Sequence, residues 1–138
     1  MSYQVVSHRY EAFRLPTGTV VVNVTVLNEP GRKYKLEENT ELKSILKLEC
    51  DGFQFSQVGK KSLNLAIALL TDVYGCKDRE DIRRIAMLAD PFMRDIVARQ
   101  NDTGFSLTSS EIRNWRDNAD LDAEEAAKVI EQVESHTD

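Results

Sequence analysis

Gly59-Lys60-Lys61-Ser62 offers the most direct chemistry in this chain, between an alternating aromatic segment, Phe53-Gln54-Phe55, and a long apolar run. A glycine, a lysine and a hydroxyl before a helix are the parts of a phosphate-binding loop. That loop requires G-x-x-x-x-G-K-[ST], so that backbone amides cradle the phosphates and the hydroxyl reaches a metal ion. The spacing departs from it twice: Gln54 occupies the place of the first glycine, and Lys61 stands where Ser or Thr should follow the lysine. What is left is a candidate anion-binding turn of Gly59, Lys60, Lys61 and Ser62. Its basis is the partial positive charge and unpaired amides of a helix N-terminus.

The other reactive side chains are scattered. His8 and His136 are the two histidines, and neither has a Cys or His at ligand spacing. Cys50 and Cys76 form no CxxC pair and are too few for a disulfide framework. A Cys–His nucleophile would need one of them to meet His8 in space, and no pattern supports that. No catalytic residue, metal ligand or cofactor is assigned. The expectation is a protein that binds rather than one that catalyses.

Charge is distributed more informatively. The formal net charge is −5. Residues 1–116 hold 17 Lys/Arg against 15 Asp/Glu, whereas residues 117–138 hold Lys128 against eight acidic side chains. The body is therefore close to neutral, without the clear positive excess expected of a nucleic-acid-binding domain. Two charged groups are candidate partner-binding surfaces. One is the arginine face Arg79, Arg83 and Arg84. The other is the acidic set Asp117, Asp120, Asp122, Glu124, Glu125, Glu131 and Glu134. The acidic segment is suited to a basic groove on a partner, and its alanine stripe to a dimer seam.

The elements that must position these groups follow from periodicity. Val20, Val22, Val24 and Val26 alternate with Val21, Asn23, Thr25 and Leu27, which predicts a strand with one apolar face. Turn chemistry at Leu15-Pro16-Thr17-Gly18 makes Tyr3 to Arg14 its antiparallel partner. A second turn at Asn28-Glu29-Pro30-Gly31 leads to a short third strand at Lys33–Leu36. Residues 37–49 have helical spacing at Leu42, Ile45 and Leu46 after a cap at Asn39 or Thr40, but Ile45, Leu46 and Leu48 would also suit a strand. Phe53 and Phe55 alternate as in a strand.

The run from Leu63 to Tyr74 is apolar on nearly every side, which predicts an enclosed helix, capped by Ser62 and closed by Gly75. A charged helix follows from Asp78 to Ala89. Asp90-Pro91 reads as a new helix start, an Asp cap with Pro in the first turn. Phe105 and Leu107 suggest a short extended segment. Thr108-Ser109-Ser110-Glu111 is a capping box for a helix carrying Ile112 and Trp115, and Asp122 caps the acidic last helix. The N-terminal stretch lacks an apolar block and cleavage site, and no apolar run approaches the roughly 20 residues of a membrane span. The expectation is a soluble protein of the cytoplasm, with no membrane contact.

Two blocks carry a family resemblance. The first is Gly52-Phe53-Gln54-Phe55, Gly59 and Leu63-Asn64-Leu65-Ala66-Ile67-Ala68-Leu69-Leu70. The second is Asp95-Ile96-Val97-Ala98-Arg99, Gly104-Phe105-Ser106-Leu107-Thr108 and Glu111-Ile112-Arg113-Asn114-Trp115. In order and rough spacing they resemble a family of small domains of unknown function from bacteria, phages and plasmids. The family pattern is a LALAIL-type helix, a VIAR-like run, a GWELT strand-to-cap element and an EEI-x-x-W helix. The resemblance covers about residues 36–116, and the acidic helix lies outside it. The family's glycine-rich loop is replaced here by Ser56-Gln57-Val58-Gly59-Lys60-Lys61-Ser62, with one glycine and two lysines. The resemblance implies an α+β fold and a mobile-element setting, and no chemistry.

The expected architecture is one α+β domain over residues 1–116, an antiparallel β-meander on about four helices, with residues 117–138 as an acidic helical flank. The expected function is a small non-enzymatic binding protein of a mobile genetic element. It would bind and inhibit a host protein, such as a defence or CRISPR component, as a monomer or homodimer. The alternative is a nucleic-acid or anion-binding module using Lys60, Lys61 and the Arg79, Arg83 and Arg84 face.

Overall fold

The structure, a computed structural model, describes residues 7–135. Strand β1 (His8–Arg14) pairs antiparallel with β2 (Val20–Val26), and β2 with β3 (Lys33–Lys35), which completes the expected meander. Strand β4 (Phe105–Thr108) returns from far along the chain to the other edge of β1, giving the order β3-β2-β1-β4. The part of the first strand expected before residue 7 lies outside the described residues, as does His136. Alternation decides the faces. Tyr10, Ala12, Val20, Val22, Val24, Val26 and Leu107 are buried, while Arg9, Glu11 and Phe13 are exposed.

The residues of 37–49 resolve as a short helix, α1 (Thr40–Ile45), because Asn39 Oδ1 accepts the Leu42 amide at 3.0 Å and Leu42 and Ile45 turn into the core. Helix α2 (Lys60–Tyr74) is the enclosed helix: Leu65 through Leu70 are all at most 1% exposed. Each buried leucine or isoleucine there contributes roughly 1.5–3 kcal/mol, so this helix anchors the fold. Gly75 ends it at φ +82°, a conformation that disfavours any side chain.

Three local expectations are corrected. Ser62 does not cap α2. Gly59 holds the cap position without a side-chain bond, and Ser62 lies one turn inside, fully buried, its hydroxyl without a partner among the described residues. Asp90-Pro91 does not start a helix: α3 runs unbroken from Arg79 to Asp95, capped by Asp78. Pro91 withholds only the hydrogen bond to the Met87 carbonyl. The apolar stripe of Ile82, Ile85, Ala89, Phe92 and Met93 is continuous across it and offsets that loss. Phe53 and Phe55 form no strand: the Gln54 amide donates to the Lys61 carbonyl at 3.2 Å and the Ser56 amide to the Val97 carbonyl at 3.0 Å, which ties the segment to α2 and the turn after α3 rather than to the sheet. Instead Phe55 is buried beneath Arg14, whose guanidinium lies 4.3 Å from the ring centroid, and stacks edge-on with Phe105.

After a single 3-10 turn (Val97–Arg99), β4 leads into α4 (Ser109–Asn118) through the Thr108–Glu111 capping box, with both reciprocal bonds present. The His8 amide donates to Ser109 Oγ at 3.0 Å, which holds the start of α4 against β1. Helix α5 (Ala123–Ser135) packs on α3. Asp122 Oδ1 accepts the Glu124 and Glu125 amides, as a cap should. Val133 is fully buried in the common core, Ala126, Val129 and Ile130 are half-buried, and Ala123 and Ala127 remain exposed. The alanine stripe is thus partly used within the chain. No helix of the described residues is long and apolar enough to cross a membrane.

Candidate functional site

Asp72 gathers a polar cluster. It lies in the last turn of α2, where the helix macrodipole disfavours an anion. Three side chains from the sheet compensate. Tyr10 donates its hydroxyl to Oδ2 at 2.6 Å, Tyr34 donates to Oδ1 at 2.6 Å, and His8 Nδ1 lies 2.7 Å from Oδ2. Burial, then the hydrogen bond into Asp72, raises the pKa of Tyr10 and of Tyr34 above the ordinary tyrosine value. Both phenols therefore stay protonated donors at neutral pH and offer no phenolate nucleophile. The cluster ties β1, β3 and α2 together beside a groove of 540 Å³ that Asn39 and Thr71 also line. Asn39 Nδ2 donates to Thr71 Oγ1 at 2.9 Å and lies 3.6 Å from Cys76 Sγ. Burial foremost raises the Cys76 pKa, so it is a thiol rather than a thiolate.

Sequence reasoning found neither Tyr34 nor Asp72. The available signal was Asp72 itself, a carboxylate two residues after the apolar run Leu65–Leu70. Asn64, fully buried in α2, donates to Glu38 Oε1 at 2.6 Å and to the Gly52 carbonyl at 2.8 Å. Lys43 donates to the same Glu38 oxygen at 2.6 Å.

A groove of 680 Å³ lies between α3 and α5. Five carboxylates line it: Asp90 and Asp95 from α3, and Asp120, Asp122 and Glu125 from the start of α5 and the link before it. Met87, Leu121 and Val129 supply its apolar part. Its one cation, Arg94, is already paired with Asp90, at 2.9 Å. Asp95 accepts Trp115 Nε1 at 3.0 Å, and Trp115 stands edge-on to Phe92, so the groove wall is braced from α4.

The residues singled out in the sequence divide accordingly. Asp120, Asp122 and Glu125 meet in the groove. Glu134 pairs instead with Arg83, which joins α5 to α3. Arg84 reaches back to Asp81 at 3.4 Å and lies over the Tyr74 ring. Arg79 is half-buried, so the three arginines do not form one open cationic patch. Asp117, Glu124 and Glu131 are exposed and stand apart from the groove lining. Lys60 and Lys61 are exposed at the start of α2, but Ser62 faces inward and adds no hydroxyl to the turn. Asp90, Arg94 and Asp95 were missed because the misread helix start at Pro91 hid their shared face at i, i+4 and i+5.

One four-stranded antiparallel sheet with helices on one face, a polar brace at Asp72 and open surface grooves define a small α+β protein. The chain belongs to a family of unknown function, DUF6166, whose model matches residues 10–118. Helix α5, and with it one wall of the acidic groove, lies beyond the matched residues. No curated protein and no solved structure matches the chain.

Proposed function

We propose that this is a non-enzymatic binding protein whose α3–α5 groove takes a lysine- or arginine-rich segment of a partner protein. One observation carries it: five carboxylates surround apolar side chains, against a single, already paired guanidinium. Such a surface attracts cations at long range and offers an apolar floor for their aliphatic stems. The resemblance to domains of phages and plasmids supports a mobile-element origin, with a host protein as the partner and its inhibition as the outcome. The alternative, anion binding through Lys60, Lys61 and the arginine face, is weakened by the internal partners of Arg83 and Arg84.

The test is titration calorimetry with an arginine-rich peptide, and capture of the host partner, using wild type and Asp120→Lys/Glu125→Lys. Both residues are exposed and neither caps a helix. The expected result is binding by wild type that weakens at least tenfold in the variant and falls with salt. Equal binding by the two proteins would reject the groove as the site.

A further inference from the structure

The helices cover one face of the sheet, and register defines what the other face carries. Lys33, Thr25 and Arg9 lie side by side across β3, β2 and β1. Lys35, Asn23 and Glu11 form the next row, and Phe13 stands beside Val21. Arg9, Glu11, Lys33 and Lys35 are exposed, and none joins an ion pair among the described residues. Phe13 is 36% exposed although it is aromatic. A trough of 380 Å³ runs over this face, with Glu11, Phe13, Asn23, Thr25, Lys33 and Lys35 in its lining.

We propose that this open sheet face binds single-stranded nucleic acid. Strand geometry puts Lys33 and Lys35 about 7 Å apart and Arg9 about 10 Å across the sheet from Lys33. Three cations in that array are placed to follow a phosphate backbone. Phe13 offers a face for base stacking, which tolerates any sequence. Asn23 and Thr25 can donate to and accept from base edges. Glu11 discriminates among polyanions. An acidic peptide would set carboxylates against it, whereas an exocyclic base amine donates to it. A duplex keeps its bases stacked inside and would leave Phe13 without a partner. The binding surface belongs to the strands alone and does not depend on the α3–α5 groove.

The experiment is fluorescence anisotropy with labelled 12-nucleotide single strands of DNA and RNA, the matching duplex, and poly-glutamate as competitor. Salt is varied, with sedimentation run in parallel. Wild type should bind single strands in preference to duplex, with affinity falling steeply as salt rises. Lys33→Ala/Lys35→Ala should reduce the slope of log affinity against log salt by about 1.4, two phosphate contacts at ~0.7 each. Phe13→Ala should weaken binding about tenfold with the salt slope unchanged. Lys33 and Lys35 are exposed, so the unfolding midpoint of their double variant should not move, while Phe13→Ala should lower it only modestly through its lost contact with Val21. The proposal is overturned by any of four results. These are no binding at low salt, binding indifferent to both variants, equal competition by poly-glutamate, or self-association abolished by the same substitutions.

Discussion

Tyr10 donates its hydroxyl to the Asp72 carboxylate across 2.6 Å, tying an inner strand of the sheet to the last turn of the core helix. Tyr10 is fully buried, whereas Tyr34, the other phenolic donor to Asp72, is 37% exposed. A hydrogen bond to an ionised group is worth about 1.5–3 kcal/mol when sheltered and less when water competes. Tyr10→Phe should therefore cost about 2 kcal/mol and Tyr34→Phe under about 1. Urea denaturation of the two variants measures the difference. Equal losses would mean that burial does not set the strength of the brace.

The raised pKa values of Tyr10 and Tyr34 make the same brace sensitive to alkali. Each phenol holds its proton longer in the folded chain than in the unfolded one. The stability it contributes is complete below the unfolded value, near pH 10, and is lost as pH rises through the folded value. The unfolding midpoint should fall above about pH 10, and fall less steeply in Tyr10→Phe.

Glu38 predicts the opposite limb. Burial works against its charge, but hydrogen bonds from Lys43 and Asn64 outweigh it and lower the pKa. Its contribution is present above the ordinary carboxylate range and is lost as pH falls through the lowered value. Glu38→Gln should flatten the acid side of the stability profile, measured by thermal unfolding between pH 3 and 7.

Gly104 approaches the backbone of Ala12 so closely that an added Cβ would lie 2.7 Å from the Ala12 carbonyl oxygen, at a φ of +147°. Gly104→Ala must push β4 away from β1 or strain the turn. A loss of about 2 kcal/mol or more is expected. Chemical denaturation checks it, and a neutral result would mean that the β1–β4 pairing yields easily.

Ser62 should behave in the reverse way. Its buried hydroxyl has no partner among the described residues, so Ser62→Ala removes a desolvated polar group at little cost in volume. A gain of about 1 kcal/mol is expected. A loss of similar size would show that the hydroxyl makes a hydrogen bond.

Val133→Asp isolates the last helix. The residue is fully buried against α3, and a carboxylate there should undock α5 while α2 and the sheet persist. Hydrogen exchange should show protection lost over residues 123–135 alone, together with loss of binding to an arginine-rich peptide.

The sequence alone determined the elements whose pattern is local. Alternating valines made β2, the all-round apolar run made α2, and Thr108 with Glu111 made the cap of α4, since each depends on neighbours within a turn or a strand. It also placed the acidic charge at the C-terminal end. It misplaced what depends on partners. Pro91 resembles a helix start until the continuous stripe from Ile82 to Met93 is seen to hold α3 through it. Phe53 and Phe55 resemble a strand until the Gln54 and Ser56 amides are seen to bond the Lys61 and Val97 carbonyls instead of a neighbouring strand. Only the tertiary structure joined His8, Tyr10 and Tyr34 to Asp72, set Asp90 and Asp95 opposite Asp120 and Glu125, and left Lys33, Lys35, Arg9 and Phe13 on one open face. The reason is physical. Helix and strand periodicity act over a few residues, while these groups are tens of residues apart and meet only where burial of the valine face and of α2 fixes how the chain folds back.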